Sequence, residues 1–475
     1  MFAFPIIYLL VFAIAAFRVF KEKPDGALIF IIVGLPIYVT TLSALTLYDL
    51  KAWVPYFQAC KELVIVLTLL SVVGSIKKKP KLYAIDWLYI TYLGYILLYV
   101  LLPIGDYGFK DKLIALKNLS FFTVIYFVGR FFNLAKINLS KYFHYMCLLA
   151  IPAGILATIE FITYTHFQTQ TGYAEYMFYF FNQEPSGHHG LTWTFEAEND
   201  GPKRFASFFA NPLDHAAGTL VSIAAILALA TTNSQKVKLN NFILAAFVCS
   251  ICSIVFALSR ASFASYFLII YVYAFITRRK QWLSYFYLFV GVSVVFAFTF
   301  LSGDLYDFII GTLNFSNSSS AYHILQWLEG IQAIATNPLG NGLGAAGRIS
   351  GYLGENIGGE NQLIIIAVQA GIIALGLYIA IYVTVIRTAL KMSMQKKGRA
   401  KKIALFILLL KIGMIIPYLT AEAESYLYIG YITSFFTGIM INIKYNSDGD
   451  RSRYTRPEVG QDRTENNPGG ALQTI

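Results

Sequence analysis

Apolar residues run along this chain in blocks of about twenty, each closed by a short polar or basic stretch, and only two polar stretches are long. The blocks predict helices over 2–17, 27–47, 54–76 and 85–104, a fifth ending at Arg130, and a sixth over 142–164. A seventh enters through Asn211-Pro212, two more form a hairpin around Arg260, and the rest cover 283–301, 363–385 and a last hairpin turning at 421–425. Runs of this length and apolarity cross a bilayer, so the predicted fold is all-α, a polytopic membrane helical bundle of about 12–13 transmembrane helices. Residues 1–444 make up that domain, while the polar tail 445–475 has almost no apolar periodicity and is expected to be disordered. The first run has no basic stretch before it and no small-residue cleavage site after it, so it is expected to be a retained helix.

Composition agrees: 57% of the 475 residues are hydrophobic and only 13% are charged. The formal charge of +11 would suggest nucleic acid in a soluble chain, but here Lys and Arg gather in alternate short loops. Arg18, Lys21 and Lys23, the run 77–81, Arg130 with Lys136, Lys236 with Lys238, 278–280 and 387–402 all fall on one side of the predicted membrane. The positive-inside rule makes that side cytoplasmic, with the N-terminus outside and the tail inside. No nucleic-acid partner is expected.

Both long polar segments, 165–205 and 302–362, then emerge on the external side, where they are expected to form a partly helical cap. Helix connections in membrane bundles are short, so about sixty residues of Gly, Ser, Asn and aromatics point to function. The first segment and its exit carry His166, Glu184, His188, His189, Glu196, Glu198, Asp200, Lys203 and Arg204. The second carries His323, Trp327, the turn cluster 337–344, Arg348, Glu355, Glu360 and Asn361. No H-E-x-x-H, clustered metal-ligand spacing or P-loop occurs, so neither zinc nor nucleotide hydrolysis is supported.

Arg204 and Arg260 both sit where a helix meets the external interface, and planar guanidinium forks suit a lipid diphosphate. Snorkelling to lipid headgroups accounts for such arginines equally well. Glu360 directly precedes an apolar run. A carboxylate at that helix start accepts a proton from a hydroxyl, or serves as an ordinary first-turn acid. His323 and Trp327, four apart, share a helix face and offer a proton acceptor beside an aromatic platform, or the packing face of an interfacial helix. Lys61, Lys117 and Glu160 lie within apolar runs, where a nearby partner or snorkelling satisfies them. Cys249 and Cys252 form a C-x-x-C inside a span with no second ligand pair, and all four cysteines are expected to be packing residues.

Four ordered pieces carry a family resemblance: Arg204-Phe205-Ala206-Ser207-Phe208-Phe209-Ala210-Asn211-Pro212, Leu258-Ser259-Arg260-Ala261-Ser262, the 337–344 cluster, and Glu360-Asn361-Gln362-Leu363 followed by 369–375. Over about residues 50–440 the chain resembles the O-antigen ligase and O-antigen polymerase superfamily of bacterial inner-membrane glycosyltransferases. The resemblance implies a GT-C type transferase with no cofactor, metal or nucleotide sugar, its site on the periplasmic side of the bacterial inner membrane. The implied donor is an undecaprenyl-diphosphate-linked glycan and the acceptor a glycan or glycolipid, alongside membrane lipids and chain-length-regulator or flippase partners. It assigns Arg204 and Arg260 to the donor diphosphate; the residues themselves make Glu360, aided by His323, the expected base, and Arg348, Lys117, Trp327 and Asn361 the expected further substrate contacts. Ligases commonly carry histidine where this chain has Glu360, which favours a repeat-unit polymerase over a ligase. A transporter or flippase of a lipid-linked substrate is the reading from another class, weakened by the absence of an inverted repeat in the sequence.

Overall fold

A computed structural model describes residues 1–76, 80–134, 138–185, 191–196, 202–231, 240–300, 318–347, 350 and 357–454. Every apolar block is helical, and the described residues contain no strand. In chain order the helices are α1 (Ala3–Phe20), α2 (Gly26–Gly34), α3 (Tyr38–Leu47), α4 (Val54–Gly74), α5 (Ala84–Leu101), α6 (Phe109–Phe131) and α7 (Leu139–Thr163). Then come α8 (Tyr173–Phe181), α9 (Pro212–Ala230), α10 (Asn241–Phe256), α11 (Arg260–Ile276), α12 (Lys280–Phe300) and α13 (Ser318–Thr336). The chain closes with α14 (Gln362–Gln395), α15 (Gly398–Gly413), α16 (Ile415–Thr420) and α17 (Leu427–Tyr454). Among the described residues eight helices are long and apolar enough to cross a membrane. Two departures from the predicted spans are local. The second span is broken by 62° between α2 and α3, where Pro36 cannot continue the ladder, and α17 runs on to Tyr454, past the boundary suggested by composition.

Close packing of these helices rests on small residues, because lipid tails compete equally for apolar side chains. A Cβ on Gly129 would lie 2.0 Å from the Phe435 carbonyl, one on Gly438 2.1 Å from the Tyr126 carbonyl, and one on Gly154 2.3 Å from the Cys249 carbonyl. Cys249 thus packs against α7, and all four cysteines are free thiols. Helix α9 runs through the middle of the bundle with 89% of its apolar window buried.

The two ends of the bundle differ in chemistry. At one end cations are tied to partners: Arg18 to Asp25 at 2.6 Å, Arg130 to Asp86 at 3.0 Å, and Arg399 to the Leu134 carbonyl at 3.4 Å. Buried Arg130 also donates to the Lys81 carbonyl at 3.2 Å. The long segments and the turns 102–108, 256–260 and 420–427 gather at the other end. There Phe205 N donates to the Phe256 carbonyl, and a Cβ on Gly347 would meet the Glu422 carboxylate at 3.2 Å.

Helix α14 is interrupted at Gly371, whose φ of 78° and ψ of 176° are open only to glycine. In a continuous helix Ile372 N would bond the Val368 carbonyl. Here it donates to the Pro338 carbonyl at 2.9 Å, while Asn341 N takes the Val368 carbonyl at 2.7 Å and Gly342 N the Gln369 carbonyl at 3.1 Å. The Gln369 side chain completes the splice, accepting from Gly344 N at 2.9 Å and donating to the Ala346 carbonyl at 3.0 Å. Gly342, at φ 99°, lies so close to the 104–105 turn that its Cβ would stand 2.4 Å from the Ile104 carbonyl. The 337–344 cluster is therefore an anchor stitched into a broken span.

Substituting Gly371→Ala puts a Cβ 2.6 Å from the Leu339 carbonyl carbon as well as forcing an unfavourable backbone. The strain of about 1–3 kcal/mol, with the clash added, lowers the melting temperature of the detergent-purified protein by several degrees. Gly376→Ala on the same helix, with open space at its Cβ, leaves melting unchanged.

Candidate active site at the capped end

The first long segment is built around Glu160, in the last turn of α7. Its buried carboxylate accepts from Phe167 N and from Ser207 N, each at 2.7 Å, clamping both limbs of the loop. Ser207 adopts a left-handed φ of 54°, and His215 on α9 lies 3.0 Å from the Phe205 carbonyl. The backbone around Arg204 is thereby fixed: Arg204 N donates to the Phe195 carbonyl at 2.9 Å, and Phe205 N to the Phe256 carbonyl at 3.0 Å. That second bond ties Arg204 to the α10–α11 hairpin, whose next helix begins with Arg260. Lys203 turns away, donating to the Tyr164 carbonyl at 2.8 Å with its ammonium 4.0 Å from the Tyr164 ring centre.

The second segment contributes α13 and the turn before α14. Helix α13 lies against α14 because Gly330 has no side chain; a Cβ there would meet Ile364 at 2.2 Å and Gly358 at 2.8 Å. Gly358 and Gly359, at φ 81° and 55°, bend the chain so that Glu360 faces α13. The Nδ1 atom of His323 lies 3.8 Å from Glu360 Oε2, an ion-pair distance too long for a hydrogen bond. Both side chains remain partly open, 25% and 34% exposed. Burial, and then the charge of Arg260, hold the His323 imidazole below its ordinary value of 6.5. Arg260 thus acts on His323, which also lies beside Glu360, and disfavours the charged imidazole.

Gln326 and Trp327 share the His323 face at spacings of three and four. Gln326 is 5% exposed and packs on Gly359, and its Oε1, like Trp327 Nε1 and His323 Nδ1, is buried without a hydrogen bond. Buried polar atoms are rarely left so, and three on one helix face suit a polyhydroxyl ligand. Gln326 was not singled out from the sequence; its position three residues after His323 is the signal that would have found it. The Trp327 ring packs beside the small apolar cluster of Ala345, Ile364 and Val368.

The other expected residues fall elsewhere or take structural work. Asn361 caps α14, its Oδ1 accepting from Leu363 N at 3.0 Å and Ile364 N at 3.2 Å. Lys117 pairs with Glu62 Oε1 at 3.2 Å, an oxygen it shares with buried Lys61 at 3.1 Å, in a charged cluster between α4 and α6. Arg348, His188, His189, Glu198, Asp200 and Glu355 lie outside the described residues. Glu184 and Glu196 are described, and Glu196 bridges Lys203 through the backbone. No group of three or more metal-ligating side chains occurs among the described residues.

The fold defines a multi-pass helical membrane protein whose polar cap gathers cationic, carboxylate and imidazole groups at one end. No family model matches the sequence, and no curated protein matches it.

Replacing Arg260 with glutamine removes the charge that opposes imidazolium, so the His323 pKa rises toward its ordinary value. The check is a pH titration of isotopically labelled histidine by NMR, with His323→Gln to assign the signal.

Proposed function

We propose that the protein is an integral-membrane glycosyltransferase that moves an undecaprenyl-diphosphate-linked oligosaccharide onto an acceptor glycan, acting as a repeat-unit polymerase for a bacterial surface polysaccharide. The single observation that carries this reading is the grouping of Glu360, His323 and Arg260 at the capped end, with orphaned polar atoms on the adjoining helix face. A carboxylate, a neutral imidazole and a guanidinium beside a polyhydroxyl-binding face are what transfer of a sugar from a diphosphate requires.

In this mechanism the acceptor hydroxyl loses its proton to Glu360 as its oxygen attacks the anomeric carbon. The bond from that carbon to the diphosphate oxygen breaks, and its electron pair leaves with the lipid diphosphate. Arg260, joined by Arg204 through the shared hairpin, neutralises that growing charge. His323 stays neutral in the field of Arg260 and does not capture Glu360 in a full ion pair. One displacement inverts the anomeric centre. The site would face the periplasm of a bacterial inner membrane, with the basic end of the bundle in the cytoplasm.

Glu360→Gln is expected to lower turnover of purified protein on lipid-linked glycan from the host by at least about 100-fold, with folding retained. Full activity in that variant would remove the base assignment. Arg260→Ala should lose a comparable factor. A host lacking the protein should accumulate single capped repeats; lipid-linked polymer in their place would identify a ligase. The Lys61, Glu62 and Lys117 cluster inside the bundle favours the alternative of a transporter. Movement of substrate across proteoliposomes with no new glycosidic bond would establish that alternative.

A further inference from the structure

Helix α13 is apolar on two sides, and the bundle covers only one of them. Its inner side packs Gln326 on Gly359, Gly330 on Gly358 and Ile364, and Trp327 and Ile334 on the cluster around Val368. The outer side carries Tyr322, Leu325, Leu328 and Ile331, spaced by three residues and about 14 Å from end to end. These four are 53–60% exposed, and exposed Ala321 and Ala335 lie beside them. A continuous apolar ridge of this kind marks contact with a partner or a membrane.

The placement of α13 decides between the two. Near its start, His323 feels the charge of Arg260, the first residue of α11. Just past its end, the Leu339 carbonyl accepts from the Tyr99 hydroxyl in the last turn of α5. Arg260 and Tyr99 stand at the same end of the bundle, each where a helix leaves the apolar slab. A helix of 19 residues, about 28 Å long, with both ends at that level runs along the membrane surface and does not rise from it.

The ridge also continues into surface that lipid covers. Leu339, 63% exposed, is joined to the break in α14, where Ile372 N donates to the Pro338 carbonyl at 2.9 Å. Ile372 and Ile373, the first outward residues of the spanning part of α14, are 51% and 48% exposed. Glu329 and Gln332 share the outer side of α13 with the ridge. Polar side chains of that length are costly at the bilayer centre but reach headgroups and water from its boundary. The helix contains no Lys or Arg, so apolar area and not attraction to anionic lipid holds it there.

We propose that α13 lies in the boundary between headgroups and acyl chains of the leaflet at the capped end, with Tyr322, Leu325, Leu328 and Ile331 immersed in lipid. His323 and Gln326, on the other side of the helix, then stand at the level of the headgroups. The inference names the lipid surface as partner and does not rest on the transferase reading.

The test places a bimane label on Leu325→Cys, Leu328→Cys or Ile331→Cys in full-length protein in phosphatidylcholine nanodiscs. Asp106→Cys, in the exposed 102–108 turn, is the aqueous reference, and unsubstituted protein sets the background from the four native thiols. All these substitutions fall at exposed positions, so melting temperatures should match the parent. Brominated phosphatidylcholine should quench the ridge labels several-fold more than the Asp106→Cys label, and iodide should do the reverse. Bromine near the headgroup end of the chain should quench more than bromine near its terminus, and added phosphatidylglycerol should change nothing. Iodide quenching of the ridge labels equal to that of the reference puts the ridge in water and overturns the proposal. Shielding from both quenchers puts a second copy or another protein on the ridge and overturns it equally.

Discussion

Everything at the capped end depends on one backbone requirement: inside a bilayer no carbonyl or amide is left without a partner. Helix α14 breaks that rule at Gly371, and the 337–344 loop restores it by lending its own amides and a carbonyl to the break. The exchange holds a long polar segment against a transmembrane helix over about one turn. Because the loop is fixed there, α13 before it and the 357–361 turn after it are fixed too. The 3.8 Å approach of His323 to Glu360 follows from that anchorage.

The first segment solves the same problem with a side chain. Glu160 gives one oxygen to Phe167 N and the other to Ser207 N, so a single buried carboxylate sets both limbs of the loop. The Arg204 backbone then hangs from Phe195 and, through Phe205, from the end of α10, one short turn before Arg260. Two unrelated anchors, a spliced helix and a buried carboxylate, thus bring their segments to opposite sides of one hairpin. The guanidinium of Arg260 connects them, since its field reaches the imidazole on α13.

Charge is handled in opposite ways at the two ends. At the basic end, cations are neutralised or tied to carbonyls, as Arg130 is to Asp86 and Lys81, which makes them structural. At the capped end, Gln326 Oε1 and Trp327 Nε1 are buried with no hydrogen bond of their own. Desolvating such groups without compensation is unfavourable.

By itself the sequence determined the all-α membrane fold, the order of the helices and which loops are basic, because these follow from apolar length and charge along the chain. It also marked Glu360 and Arg260 by their positions beside apolar runs, and His323 by its spacing of four from Trp327. Tertiary structure alone decided what those residues meet. The cluster 337–344 reads only as a run of turns until Gly371 is seen to need its amides. That Lys117 pairs with Glu62 and that Asn361 caps α14 could not be read from spacing. Gln326 was marked only by its spacing of three from His323. The physical reason is common to all: a partner's identity depends on contacts between residues far apart in the chain, which periodicity and spacing do not encode.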